Sequence, residues 1–154
     1  MKYKTIGAFK NVQNVPYCKA ASDLKVGMGV ILDRAAGTAA LPSSASEAKS
    51  VVYIVTNIND KPEQHNYPET VVVKAGEYVR ADDLRTLNGM EIEFAASEIT
   101  EDTADLSVGD TLVFTEDTGL LSAETTLTGY AVYFKVIKKT AYMNDGILAE
   151  IVVQ

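Results

Sequence analysis

The fold is decided near the end of the chain, where residues 129–136 read GYAVYFKV and residues 144–153 read NDGILAEIVV. Side chains alternate across a β-strand, so each run places its apolar residues on one face. Those residues are Tyr130, Val132, Phe134 and Val136 in the first run and Ile147, Ala149, Ile151 and Val153 in the second. Asn144-Asp145-Gly146 between them tolerates positive φ. The pattern predicts a C-terminal β-hairpin.

Strand-like runs continue outward from this hairpin, at residues 26–32, 51–56, 70–74, 90–95 and 111–115, separated by turn residues. Helical periodicity is confined to residues 44–49, 81–87 and 99–105, each shorter than a helix that is stable alone. We predict an all-β fold with short helical turns, arranged as a compact β-barrel or β-sandwich module with an extended N-terminal arm. The predicted core contains Val30, Leu32, Val52, Ile54, Leu112, Phe114, Val132, Phe134, Ile147 and Ile151.

One short motif occurs twice. Residues 23–27 read DLKVG and residues 105–109 read DLSVG, and each copy leads into an apolar strand and then a glycine, Gly37 or Gly119. Both a duplication and a common way to begin a strand explain this similarity. The predicted organisation is an arm over residues 1–19 and a β-rich domain over 20–154, in which two similar sub-lobes are one option.

Charge is unevenly distributed along the 154 residues, whose formal net charge is −7. Residues 1–25 hold five lysines and one acid, a net of +4, which leaves −11 for the remainder. Ten acids lie between Glu91 and Glu124, and no Lys or Arg lies between Arg85 and Lys135. This balance argues against nucleic-acid binding. It favours either an arm that docks on an acidic surface or a solvated tail beside a solvated face.

Targeting segments and cysteine frameworks are not visible in the sequence. Residues 1–7 lack a continuous apolar core, and no stretch approaches the roughly 18 apolar residues of a membrane helix, so we expect neither signal peptide nor membrane span. The single Cys18 excludes an internal disulfide and a Cys-rich zinc site, and the single His65 excludes a His-rich metal site.

The most suggestive catalytic pattern is Asp117-Thr118-Gly119, the tripeptide of aspartic proteases, which would require a dimer that shares two carboxylates. Glu116 before it and Leu120 after it do not suit that site, and the context favours a hairpin turn. A Cys18–His65 nucleophile pair lacks catalytic context. We therefore predict no enzyme activity, no catalytic residues, no cofactor and no metal. The alternatives are a small dimeric aspartic-type protease and a β-rich carbohydrate-binding module.

Binding of a cation at an interface by the acidic pairs Asp82-Asp83 and Glu101-Asp102 is a further option, because hard cations take oxygen ligands.

Four stretches carry a resemblance to a known family: residues 20–30 (AASDLKVGMGV), 74–80 (KAGEYVR), 106–112 (LSVGDTL) and 129–136 (GYAVYFKV). In this pattern of strands and glycine turns the chain resembles the capsid decoration, or cement, proteins of tailed bacteriophages. The resemblance implies a non-enzymatic virion protein on the outer capsid surface, made in the host cytoplasm. It would bind and stabilise the major capsid protein lattice, commonly as a homo-oligomer, with a trimer favoured.

Such proteins commonly dock through an extended terminal segment that adds to a sheet. The expected docking residues lie in the N-terminal arm: Lys2, Tyr3, Lys4, Ile6, Phe9, Lys10, Val12, Val15 and Tyr17. Its apolar side chains would supply most of the affinity and its lysines would meet acidic surface. The alternative is that this segment forms the first strand of the protein's own fold.

Overall fold

The computed structural model describes residues 1–5, 10–57 and 71–154, and its fold is mainly β. The strands are β1 (Lys2–Tyr3), β2 (Asn14–Val15), β3 (Lys19–Ala20), β4 (Leu24–Lys25), β5 (Gly29–Asp33), β6 (Thr38–Ala40), β7 (Tyr53–Val55), β8 (Val72–Val73), β9 (Ala81–Asp83), β10 (Glu91–Ala95), β11 (Thr111–Phe114), β12 (Leu121–Ala123), β13 (Val132–Thr140) and β14 (Gly146–Val153). Helix α1 spans Ala45–Ser50, and 3₁₀ helices span Leu84–Leu87 and Ala96–Glu98.

Two six-stranded sheets form the body of the protein. The N-terminal sheet has the order β2-β9-β7-β5-β6-β3, and the C-terminal sheet has the order β1-β10-β14-β13-β11-β12. Strands β4 and β8 form a separate two-stranded ribbon. In the described residues neither large sheet closes on itself, so the arrangement is sandwich-like and not a closed barrel. The predicted all-β class is confirmed.

The predicted C-terminal hairpin is present as β13 and β14, which pair antiparallel with a register shift between Val136 and Lys138. The backbone of Asn144 has a φ of 79°, as the turn required. Phe134 lies at the centre of the main core, where Phe94 and Phe114 meet it edge-to-face at centroid distances of 5.0 and 5.4 Å. Edge-to-face pairs of this kind add to the stabilisation that burial provides.

The N-terminal sheet is buried on both faces. Ile54 packs into the main core, whereas its neighbours Tyr53 and Val55 point the other way, into a second core that contains Leu24 and Val73 of the ribbon. Of the ten predicted core residues, eight are buried, and Leu32 and Val52 are half-buried against these cores.

The helical expectations were only partly right. The short helix predicted at residues 44–49 is present as α1, and Ser44 caps it by accepting a hydrogen bond from the Glu47 N–H. Residues 81–87 divide into β9 and a 3₁₀ turn. The prediction for residues 99–105 is wrong: Ile99 bridges to Leu121, and turns follow it. Apolar Ile99 gains more from burial beside β12 than from a short exposed helix.

The two sheets repeat one strand plan. The order β2-β9-β7-β5-β6 in one sheet matches β10-β14-β13-β11-β12 in the other. We call residues 14–83 unit 1 and residues 91–153 unit 2. Hairpin registers also agree: Leu32 pairs with Ala39 in unit 1, and Phe114 pairs with Leu121, 82 positions later, in unit 2.

The repeated DLxVG motif has the same backbone structure in both units. Gly27 and Gly109 have φ angles of 91° and 97°, values that favour glycine. The N–H of Gly27 donates to the Val55 carbonyl, and that of Gly109 donates to the Val136 carbonyl, both at 2.9 Å. The glycines at the hairpin tips, Gly37 and Gly119, also agree, with φ angles of 69° and 63°. The sequence similarity therefore corresponds to a repeated strand–turn–hairpin structure.

Candidate functional site

The described residues of the predicted arm are mostly built into the protein's own sheets. Strand β1 pairs with β10, and β2 pairs with β9. Val15 is buried in the second core, and Val12 packs half-buried against the main core. For these residues the alternative prediction, that the segment supplies strands of the protein's own fold, is confirmed. Each of the two strands lies at the edge of its sheet, so its main-chain groups pair within the chain on one side.

Residues 1–5 contact three buried carboxylates. The Met1 amino nitrogen lies 2.5 Å from Glu98 Oε1. The Tyr3 hydroxyl donates to Asp82 Oδ2 at 2.9 Å and so joins the C-terminal sheet to unit 1. The ammonium groups of Lys2 and Lys4 lie 3.5 and 3.1 Å from Glu93 Oε2. The two lysines predicted to meet a partner's acids therefore meet an acid of the same chain.

These contacts set the ionisation of the carboxylates. Burial raises the pKa of Asp82, opposed by the Tyr3 hydrogen bond and the charge of Arg80. Burial also acts to raise the pKa of Glu93, but hydrogen bonds from Thr140 and Lys4, with the lysine charges, outweigh it, and that pKa is lowered. The pKa of Tyr3 is raised by burial and by the charge of Asp82.

The remaining predicted docking residues divide into two groups. Lys10 and Tyr17 are exposed, Tyr17 by 50%. Ile6 and Phe9 lie outside the described residues, as does His65. Contact between any of the nine predicted residues and a capsid stays a prediction.

A group that sequence reasoning missed lies at one end of the N-terminal sheet, where two exposed arginines cover the hydroxyl of a buried tyrosine. Strand β7 runs between β5 and β9, and its Tyr53 is flanked by Arg34, which follows β5, and Arg85, which follows β9. Arg34 Nη2 donates to the Tyr53 hydroxyl oxygen at 2.6 Å, and Arg85 Nη2 donates to it at 3.1 Å. We call Arg34, Tyr53 and Arg85 the arginine–tyrosine cluster. It holds two of the three arginines in the sequence.

The cluster has more hydrogen-bond donors than acceptors. Arg85 is fixed by Asp83, to which Nε donates at 2.9 Å and Nη2 donates at 2.7 Å. Burial acts to raise the pKa of Asp83, but these bonds outweigh it and the pKa is lowered. Within the described residues no carboxylate lies within ion-pair distance of Arg34. Since the Tyr53 oxygen already accepts two bonds, the group that would complete the cluster is an acceptor.

A groove of about 280 Å³ lies between α1 of unit 1 and the β11–β12 hairpin of unit 2. Ala48 and Phe114 form part of its apolar lining, and Glu116, Glu124 and Tyr130 form part of its polar lining. The pKa of Tyr130 is raised by burial and then by the charges of Glu124 and Glu116. The Lys49 ammonium of α1 lies 5.5 Å from the centroid of the Tyr130 ring, so the aromatic wall already has a cation of the same chain over it.

Asp117 lies at the tip of the β11–β12 hairpin, exposed and with a φ of 62°. Its N–H donates to the Pro42 carbonyl at 2.7 Å. The predicted hairpin turn is confirmed.

Within residues 1–5, 10–57 and 71–154, no three His, Cys, Asp or Glu side chains are grouped as metal ligands. Among the same residues, no helix has the length and apolarity needed to cross a bilayer. The acidic pairs Asp82-Asp83 and Glu101-Asp102 instead have partners within the chain, such as Tyr3, Arg85 and Ser122.

No protein-family model, no curated protein and no solved structure matches this chain.

Proposed function

We propose that the chain is a non-enzymatic structural protein that binds the outer surface of a tailed-bacteriophage capsid and stabilises the major capsid protein lattice, in association with other copies of itself. The observation that carries this proposal is the exposed pair of arginines in the arginine–tyrosine cluster, with Tyr17 near Arg34. Arg and Tyr are enriched in protein–protein interfaces, and a donor-rich group on an otherwise acidic chain suits a protein surface. The sequence resemblance to decoration proteins supplies the class of partner.

Two features of the arm refine the proposal. Lys2, Tyr3 and Lys4 are bonded to acids of the same chain, so they hold the fold together. Tyr17 and Lys10 remain exposed and are the described arm residues that would contact the capsid. Docking then uses the surface around Tyr17 and not a free terminal strand.

The placement of Asp117 does not favour the protease alternative. That chemistry needs two carboxylates that share a proton in a protected site. Asp117 is exposed on a hairpin tip.

Cosedimentation tests the proposal. The purified protein is mixed with expanded capsids from which it has been genetically removed, and binding is measured against concentration. We expect saturable binding, weakened by Tyr17→Ala. Val108→Ala, which removes an apolar side chain that is 71% exposed in unit 2, is the control and should bind as the unaltered protein does. Absence of binding would overturn the proposal.

Asp117→Asn serves as a second arm of the experiment. Asparagine tolerates positive φ, so the turn should persist and capsid binding should be unchanged. Acid-optimal peptide hydrolysis that this substitution abolishes would establish the protease alternative instead.

A further inference from the structure

Residues 17–19 and 78–80 lie side by side at the surface of unit 1. Lys19 is bridged antiparallel to Tyr78, and main-chain hydrogen bonds of 2.9 Å link the neighbouring residues on either side of this pair. In such a non-hydrogen-bonded pair the two side chains lie close together. The Lys19 ammonium accordingly lies 5.2 Å from the centroid of the Tyr78 ring, and the tyrosine is still 61% exposed.

One side of this pair of segments is buried and the other is exposed. Cys18 and Val79 have no exposed surface and belong to the second core. Side chains alternate along extended backbone, so the neighbours of these two residues lie on the opposite, exposed side. These neighbours are Tyr17, Lys19, Tyr78 and Arg80, which we call the tyrosine–cation face.

The two cations of the face are poorly neutralised by the chain itself. Among the described residues, no carboxylate lies within ion-pair distance of Lys19, and Arg80 is paired only with Asp82, whose Oδ1 lies 3.9 Å from Nε. Burial raises the pKa of Asp82, so this carboxyl holds its proton to higher pH and offsets the arginine charge less. The carboxylate of Glu77, the adjacent acid in the sequence, is bonded to a backbone N–H of its own turn at 2.8 Å.

The backbone beneath the face is already paired within the chain. The Lys19 N–H donates to the Gly37 carbonyl at 2.8 Å. The Arg80 carbonyl accepts from the Thr56 N–H, and the Arg80 N–H donates to Asn57 Oδ1, both at 2.8 Å. The face is therefore held in place by unit 1, and a partner would contact its side chains and not add a strand beside it.

The chemistry of the face favours an acidic peptide segment. Tyrosine and arginine are enriched in protein interfaces, and unneutralised cations form strong hydrogen bonds with carboxylates. A nucleic acid would also stack on tyrosine rings and pair with cations. However, the net charge of −7 on the whole chain opposes a long polyanion, whereas a short segment responds mainly to the charges nearest to it.

We infer that the tyrosine–cation face is a docking site for a short, acidic segment of a partner protein. Carboxylates of the segment pair with Lys19 and Arg80, and its chain packs across the two tyrosine rings. The inference rests on the proposed function only for the identity of the partner, the major capsid protein. The acidic chemistry follows from the face itself, so it can be tested without capsids.

The test is an NMR titration of the isotopically labelled full chain with a hexaglutamate peptide, in low and in moderate salt. We expect saturable shifts of backbone amide resonances at residues 17–19 and 78–80, which weaken as salt screens the exposed charges. Lys19→Glu should raise the dissociation constant by at least about threefold, since it replaces an attraction with a repulsion. Tyr78→Ala should also weaken binding, whereas Tyr78→Phe keeps the ring and should bind as the unaltered protein does.

Two controls use matched charge. Lys138→Glu reverses an exposed charge on β13 and should leave peptide binding unchanged, and a hexaglutamine peptide should cause no shifts. Thermal unfolding confirms that each variant is folded, and Lys19→Gln replaces Lys19→Glu if the latter is not. Absence of shifts at the face overturns the inference, as does a Lys19 variant that binds hexaglutamate as tightly as the wild type. Tighter binding of an oligothymidylate at the face also overturns it, in favour of a nucleic-acid surface.

Capsid cosedimentation of the same variants separates the inference from the proposed function. We expect Lys19→Glu to weaken capsid binding and Lys138→Glu to leave it unchanged. Hexaglutamate binding at the face by a chain that does not bind capsids supports the inference and overturns the proposed function. Capsid binding by a chain whose face does not respond to hexaglutamate overturns the inference and supports the proposed function.

Discussion

Units 1 and 2 share a backbone plan and differ in what occupies its equivalent positions. In unit 2, Phe134 pairs with Leu112 on one side and Ile151 on the other, and all three are buried in the main core. The position equivalent to Phe134 in unit 1 is Tyr53, whose neighbour across β9 is Asp83. One strand plan thus supports an apolar core position in one unit and, in the other, a buried tyrosine whose hydroxyl is bonded to two exposed arginines.

The comparison also shows which features are the same in both units and which differ between them. The glycines with positive φ occur in both units, and so do the hydrogen bonds from the motif to the neighbouring strand. Val26 is buried in unit 1, whereas the equivalent Val108 is 71% exposed in unit 2. Both units therefore share the same backbone geometry at this turn, whereas side chains at equivalent positions differ in burial.

The largest difference between the two units is expected when each motif glycine, Gly27 or Gly109, is replaced by alanine and the unfolding free energy is measured. Both positions carry a positive φ, so each substitution costs about 1–2 kcal/mol of backbone strain. At Gly27 the new Cβ would also lie 2.6 Å from Glu98 Oε1, whereas at Gly109 it meets open space. Overpacking adds about 1–3 kcal/mol, so Gly27→Ala should lose clearly more unfolding free energy than Gly109→Ala. Urea unfolding measures both, and equal losses would contradict the assigned environments.

A smaller loss of unfolding free energy is expected when the hydrogen bond between β1 and unit 1 is removed. Strand β1 has no equivalent in the N-terminal sheet, and its Tyr3 hydroxyl donates to Asp82. Tyr3→Phe leaves a buried carboxylate without that donor and should cost about 1–3 kcal/mol of unfolding free energy. Tyr133→Phe, at a half-buried tyrosine of β13, is the control and should change stability by less than about 0.5 kcal/mol. Thermal or urea unfolding of both variants measures the difference, and equal changes would argue against the cross-sheet bond.

The smallest effect concerns the pH dependence of stability. The pKa of Asp82 is raised by burial, so the native state holds its proton to higher pH than the unfolded chain does. Unfolding free energy therefore falls as pH rises from about 4, the ordinary range of an aspartate, through the native pKa. Asp82→Asn removes this decline. Glu93 and Asp83 act in the opposite sense, because their lowered pKa values favour the native state above acid pH.

Those two groups remain in the variant, so the difference between wild type and Asp82→Asn isolates Asp82. Glu150→Gln changes the equivalent position in unit 2 and is the matched control. Urea unfolding between pH 4 and pH 8 measures all three proteins. Parallel pH curves for wild type and Asp82→Asn would show that Asp82 is ionised equally in both states.

Local patterns in the sequence were sufficient for much of the fold. The alternation in residues 132–153 and its Asn-Asp-Gly turn predicted β13 and β14, and the DLxVG repeat marked equivalent turns in the two units. These features depend on residues that are neighbours along the chain. Strands of two residues, such as β2 and β4, have no such signal, since partners distant in sequence define them.

The arginine–tyrosine cluster could not be predicted from local sequence patterns for the same reason. Arg34, Tyr53 and Arg85 come together because β7 lies between β5 and β9, and strand order is not written in any local pattern. The charge asymmetry of the arm left two predictions open, an arm that docks on an acidic surface and a solvated tail. Lys2 and Lys4 instead lie within ion-pair distance of Glu93 of the same chain.

The pairing of β1 has a consequence for the order of events during synthesis. Tyr3 is 79 residues from Asp82 in sequence, and β1 pairs with β10, which follows Asp82 along the chain. The hairpins of unit 1 can close while the ribosome is still adding residues, since their contacts are local. Strand β1 precedes unit 1 along the chain but has no partner until β10 of unit 2 has been synthesised. The hairpins of unit 1 can therefore form before β1 is fixed in its sheet.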